Sequence, residues 1–250
     1  MAIHLKSQRE ISIMREAGRI VAVTLLELEA QARPGTTTAD LDAVAERTAR
    51  ALGATPAFKG YLGYPASLCA SINDEIVHGI PSAQRVLKAG DIVSLDFGVH
   101  YKGFVGDAAV TVGVGEIGAR ARKLLEVTRA SLYAGIEKAR AGRHLSDVSH
   151  AVEVAAEANG FSVVRQYVGH GVGRKMHEEP QVPNFGPAHQ GPVLRPGMTF
   201  AIEPMLNTGR EETEVRPDNW TVVTRDGGLS AHFEHTIAIT DGEPIILTLP

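Results

Sequence analysis

The sequence predicts an α+β protein made of two related αα-ββ halves, with the strands of both inside and the helices outside. Three observations lead there: a repeat at a constant offset, a pair of helical segments in each half, and β-rich stretches after each pair. Ala32, Arg33, Gly35, Asp40, Glu46, Ala49, Ala51 and Gly53 recur 107 residues later as Ala139, Arg140, Gly142, Asp147, Glu153, Ala156, Ala158 and Gly160. At the same offset VLKAGDIVSLD, from Val86 to Asp96, lies over VLRPGMTFAIE, from Val193 to Glu203, so that Asp96 pairs with Glu203. Between these blocks the His-Gly-Ile-Pro run starting at His78 resembles the His-Glu-Glu-Pro run starting at His177 at an offset of 99. The second copy therefore carries eight extra residues before Val193. The expected organisation is one catalytic domain over 1–250, with halves of about 7–115 and 116–250.

Taken in order, Ser7 and Glu10 carry a capping-box signature, and Ile11, Met14, Val21, Leu25 and Leu28 keep helical spacing until Arg33-Pro34-Gly35 stops the run. A second helix is predicted from about Thr38 to Leu52, closed by Gly53, with its counterpart in the second half closed by Gly160. Strands are predicted over Asp91 to His100, Phe104 to Val114, Met198 to Glu203, Trp220 to Thr224 and Glu234 to Thr240. Tyr101-Lys102-Gly103 suggests a hairpin turn between the first two. With the turn centred between residues 101 and 102, Asp96 would face Asp107, their Cβ atoms about 5 Å apart.

At 250 residues and 44% hydrophobic content the chain can bury a substantial core. Its 25 basic and 29 acidic residues form no long run of one sign, which argues against a nucleic-acid or membrane-surface partner. The opening MAIHLKSQRE lacks the apolar core of a secretory signal, and no stretch is long and apolar enough to span a bilayer. A single cysteine, Cys69, excludes an intramolecular disulfide, and a reducing, cytoplasmic location is expected.

Four constellations carry chemistry. Asp96 and Asp107, if paired across a hairpin, would repel unless a cation sat between them. His170 and His177 lie in GHGVGRKMHEEP, whose glycines allow a backbone to approach a site closely. Glu203 ends the apolar strand of FAIEP, and Glu234 heads the apolar strand of HFEHTIAI; burying either would be costly without a cation. Each alone is more often a turn, surface or core residue. Together, carboxylates with one imidazole suit divalent manganese, iron, cobalt or zinc. Two such ions about 3.5–4 Å apart can activate a shared water.

On these residues the sequence resembles the methionine aminopeptidases of the bacterial type I class, from about Ser7 to the C-terminus. The family signature Y-x-G-H-G-[IV]-G stands as Tyr167 to Gly173, accompanied by NDEIVHGIP, DFGVHYKGFVGD, MHEEPQVPNF, PGMTFAIEPM and FEHTIAI. The resemblance implies the pita-bread fold, two pseudo-symmetric αα-ββ halves around a central antiparallel sheet. It implies two divalent ions, with Asp107 and Glu234 bridging both, Asp96 on one, and His170 with Glu203 on the other. It further implies that a hydroxide bridging the ions attacks the first peptide bond, with Glu203 as proton acceptor, His177 at the substrate carbonyl and His78 at the scissile nitrogen. Phe58, Tyr61, Tyr64, Cys69, Met176 and Trp220 fall at positions of the methionine pocket. Phe58, Met176 and Leu62 depart from residues found in some members, which puts pocket shape and substrate ranking in question.

The substrates so implied are nascent polypeptides with a free N-terminal methionine and a small second residue, a preference that this chain's own Met1-Ala2 start satisfies. A monomer in transient contact with the ribosome is expected. Two other readings compete. Proline-directed enzymes share the fold and nearly the same ligands, but usually carry an N-terminal domain that the six or so residues before the first helix do not supply. Binding modules with a degenerate form of the fold are free to lose ligands, whereas all five positions here hold competent side chains.

Overall fold

The first helix begins where the sequence marks it. Ser7 Oγ accepts the Glu10 N–H at 3.4 Å while the Glu10 carboxylate accepts the Ser7 N–H at 2.9 Å, and α1 runs over Gln8–Gln31. In this computed structural model residues 3–250 are described; Met1 and Ala2, and with them the expectation placed on the chain's start, lie outside the described residues. Thr37 and Asp40 form a second capping box for α2, Thr38–Ala51. Strands β1 (Thr55–Pro56), β2 (Cys69–Ile72), β3 (Glu75–Val77), β4 (Ile92–Tyr101) and β5 (Phe104–Gly113) follow. The second half supplies α3 (Ala119–Lys138), α4 (Leu145–Glu157), β6 (Ser162–Val163), β7 (Gly169–Gly171), β8 (Glu178–Val182), β9 (Thr199–Ile202) and β10 (Met205–Asn207). It closes with β11 (Thr213–Val215), β12 (Val222–Thr224), β13 (Ser230–His232), β14 (Glu234–Ala238) and β15 (Ile245–Ile246).

The backbone repeats at the offset read from the sequence. Gly35 donates its N–H to the Leu87 carbonyl at 2.9 Å, and Gly142 donates to Leu194 at 2.9 Å. The bridge Thr37↔Val86 recurs as His144↔Val193. Gly35 and Gly142 take φ of +93° and +85°, the left-handed region that favours glycine, so the chain can turn sharply out of each first helix.

Nine strands form the main sheet, in the order β1-β4-β5-β14-β9-β7-β8, with β2 on β4 and β15 on β14. Every pairing in it is antiparallel. Alternation sorts its two faces. Val93, Leu95, Phe97 and Val99 of β4 pack with Val21, Leu25, Leu28 and Leu41 from α1 and α2. Phe200, Ile202 and Ile237 of β9 and β14 pack with Leu132, Ile136, Val148 and Val152 from α3 and α4. The intervening residues, among them Asp96 and Glu234, point to the opposite face, so the helices fix the sheet from behind and leave its front for chemistry. Among the described residues no helix is long and apolar enough to cross a membrane.

One expectation is corrected. Tyr101 faces Phe104, so Asp96 faces Ala109 and Asp107 faces Gly98, two residues from the register inferred from sequence. The cause is the turn. Lys102 and Gly103 both take positive φ, +47° and +81°, as the two-residue hairpin loop matching strand twist requires, and this moves the turn centre by one residue.

Candidate metal centre

The corrected register builds the site. Asp96 on β4, Ala109 on β5 and Glu234 on β14 stand in one row across the sheet, and Asp107 lies two residues from Ala109 on the same face. The central position of the row is a small alanine, flanked by an acid on either side. Opposite Asp107 stands Gly98, where an added Cβ would lie 2.7 Å from the Phe58 ring, 3.0 Å from the Met176 methyl and 3.1 Å from the Asp107 carboxylate, so a side chain there would crowd the site. Glu203 follows the last residue of β9, and its backbone carbonyl accepts a hydrogen bond from Asn184 Nδ2 at 3.1 Å. His170 sits on β7 at a register shift against β8.

These groups are buried and short of partners. Asp96 Oδ1, Asp107 Oδ1, Glu203 Oε1 and Glu234 Oε1 are buried without a hydrogen-bond partner. Burial pushes the Asp96 carboxyl up to about 7. Burial, then the charges of Asp96 and Glu203, raises Asp107 well above the carboxylate range. Glu203 is raised by burial and Asp96, and Glu234 by burial and the other three acids. Four orphaned carboxylates that repel one another in a dry site are what a cation would relieve.

The imidazole is set to join them. Its Nδ1 lies 3.0 Å from the Gly171 carbonyl, which can only accept, and burial above all lowers the pKa of His170 to about 4. The neutral ring therefore carries its proton on Nδ1 and turns a lone pair on Nε2 toward Glu203 Oε1 at 3.5 Å and Asp107 Oδ2 at 3.9 Å. Ligand atoms of Asp107, His170 and Glu234 lie within 4.8 Å of one another. Donor types, burial and orphaned atoms all fit divalent cations held by oxygen and one imidazole nitrogen.

Every residue in the sequence-derived set lines one cavity of about 160 Å³: the five acid and imidazole groups above, His78, His177, Phe58, Tyr61, Tyr64, Cys69, Met176 and Trp220, with Leu62 added at its rim. Tyr61 stacks on His177 with ring centroids 5.5 Å apart, and its hydroxyl lies 2.7 Å from His177 Nδ1. Burial raises the Tyr61 pKa, so the phenol keeps its proton. Donated to Nδ1, that proton leaves Nε2–H of His177 as the free donor. Trp220 meets Tyr64 and His78 edge-on at 5.1 and 6.3 Å. Burial, with a contribution from His177, lowers the His78 pKa to about 4.

Two features escaped the sequence reading. His232 is 2% exposed, with both ring nitrogens unpartnered and Nε2 at 3.9 Å from Glu203 Oε2. Strand alternation was its available signal, since it stands two residues before Glu234. Lys6 and Glu178 form a buried ion pair behind His177, and nothing local in sequence announces a contact between residues 172 apart.

Residues 12–241 match the profile of metallopeptidase family M24. Methionine aminopeptidase 1 of Bacillus subtilis is 54% identical over 243 residues, covering 97% of this chain and 98% of the relative. The crystal structure of a methionine aminopeptidase from Thermotoga maritima superposes with a TM-score of 0.98 at 48% identity, covering all of both chains. A prolidase from Pyrococcus furiosus shares the fold alone, at 21% identity and a TM-score of 0.77, with 98% of this chain and 65% of that one covered.

Proposed function

The chain belongs to metallopeptidase family M24 and has its pita-bread fold, and we infer that it is a methionine aminopeptidase, a metal-dependent hydrolase that removes the first methionine of a polypeptide. The observation that carries this reading is the meeting of orphaned acids, His170 and an apolar, sulfur-containing pocket in one small cavity. Asp96, Asp107, His170, Glu203 and Glu234 would hold two divalent ions, drawn from cobalt, manganese, iron or zinc. Bound there, the ions would supply positive charge opposite a developing oxyanion and lower the pKa of a water.

The chain's own groups do the rest. Phe58, Tyr61, Tyr64, Cys69, Met176 and Trp220, which line the cavity with the acids, surround the methionine side chain. Glu203, whose raised pKa suits a group that takes and returns a proton, accepts one from the attacking water and passes it to the leaving nitrogen. Nε2–H of His177 donates to the scissile carbonyl as charge grows on its oxygen, and His78 contacts the departing amide nitrogen.

Work as one catalytic domain, a cytoplasmic location, a monomeric state, nascent chains as substrates, a small second residue and transient ribosome contact complete the proposal. Chelated protein, restored separately with each of the four metals, should release methionine from Met-Ala-Ser and none from its N-formylated form. Release that survives thorough chelation, or that ignores the formyl block, would overturn it.

A further inference from the structure

The segment that carries His177 is held by charge from behind. Glu178, next to His177 in sequence, accepts the backbone N–H of Arg174 at 2.8 Å and of Lys175 at 3.2 Å on Oε1. Its Oε2 takes Lys6 Nζ at 2.6 Å, in a pair whose side chains are only 6% and 11% exposed. Lys6 is itself fixed, because its N–H donates to the Gly197 carbonyl at 2.7 Å and its Nζ also donates to the His4 carbonyl at 3.2 Å. Gly173 closes the knot, since a Cβ there would strike both the Glu178 carboxylate and the Lys6 stem.

Burying an ion pair commonly yields little net stability, because desolvation offsets the attraction. In some proteins what such a pair contributes instead is the choice of one conformation over others. Here the selected conformation sets the loop next to His177, while Tyr61 fixes the ring from the other side. Lys6, Glu178 and His177 also line a common groove of about 410 Å³.

We propose that Lys6 is a positioning residue for the peptidase reaction: its ion pair with Glu178 holds the Arg174–Glu178 loop so that His177 Nε2 meets the scissile carbonyl. The inference rests on the role given to His177 above. Lys6→Met alone would leave a buried carboxylate unpaired and could unfold the loop. The decisive variant is therefore the double substitution Lys6→Met with Glu178→Gln, which removes both charges.

In the metal-loaded full chain turning over Met-Ala-Ser, the double variant should lose roughly ten- to a hundredfold in kcat with KM within about twofold, the scale of loss when groups supporting a site are removed. Inhibition by a methionine phosphonate, a tetrahedral mimic, should weaken by the same factor while inhibition by free methionine stays unchanged. Lys6→Arg, which keeps the charge, should recover most of the rate. A double variant with wild-type kcat would overturn the proposal. So would a loss in which bound metal, free-methionine inhibition and kcat fall together, because that pattern marks a merely structural pair. Should the wild-type chain itself release no methionine, the peptidase reading fails with it; a working wild type matched by the double variant sinks the positioning role of Lys6 alone.

Discussion

The two halves of the molecule share a backbone but not a chemistry. Asp96 and Glu203 stand at the same point of the repeat, and the connections around them use the same hydrogen bonds and bridges 107 residues apart. Across the sheet the likeness ends. Asp96 faces Ala109, whereas the register of β9 on β14, continued by one residue, brings Glu203 level with Glu234. The loops diverge as well. The loop of His78 is pinned by neutral contacts, Gly79 N–H to Ser71 Oγ at 3.1 Å and Tyr64 hydroxyl to the Gly79 carbonyl at 3.1 Å, while that of His177 is pinned by the Lys6–Glu178 ion pair. Duplication has kept what closes the main chain and released what faces the cavity.

The largest effect should come from erasing the asymmetry at Ala109, which is 4% exposed. Ala109→Leu keeps every acid but sets a larger side chain between Asp96 and Glu234, so bound metal, measured by elemental analysis, and turnover should both fall below detection. The fold should lose only about 1–3 kcal/mol, the usual cost of overpacking. Normal metal content in this variant would mean that the space between the acids is not where cations sit.

Next in size is the contrast between the two related histidines. His177→Ala removes the donor proposed for the carbonyl and should lower kcat about a hundredfold, against about tenfold for His78→Ala. Equal losses would say that the two loops act alike, and the functional difference between the halves would vanish.

The smallest effect is one of pH, and it tests what the halves have in common. Asp96 titrates at about 7 in the folded chain against an ordinary 3.8, and the other three acids are also raised. For a group with a raised folded pKa, the stability it contributes is fully present below the unfolded value and is lost as pH rises through the folded one. Metal-free protein should therefore become less stable to urea as pH climbs from about 4 through 7, and Asp96→Asn or Glu203→Gln should each flatten the slope. Adding metal should release protons at neutral pH, measurable as heats that depend on the buffer. A metal-free chain that gains stability over that range would refute the carboxylate assignment.

The helices were legible because their signals are local. The box at Ser7 and the helical spacing from Thr38 placed α1 and α2, and glycines at 35, 53, 142 and 160 mark stops that only a left-handed residue makes cheaply. The repeat exposed the pairing of Asp96 with Glu203, and the motif series named every acid and imidazole that lines the cavity, while His232, buried beside Glu203, was missed. Sequence by itself thus determined the helix pairs, the longer strands, the repeat and the chemical types of the site, while short strands such as β7, which carries His170, were not read from it. Tertiary structure decided the rest: the register that sets Asp96 opposite Ala109, the burial that leaves four carboxylates without partners, and the meeting of Lys6 with Glu178. The physical reason is range. Capping and periodicity act within a few residues, whereas register hangs on the φ angles of one two-residue turn and a buried ion pair on how distant segments pack.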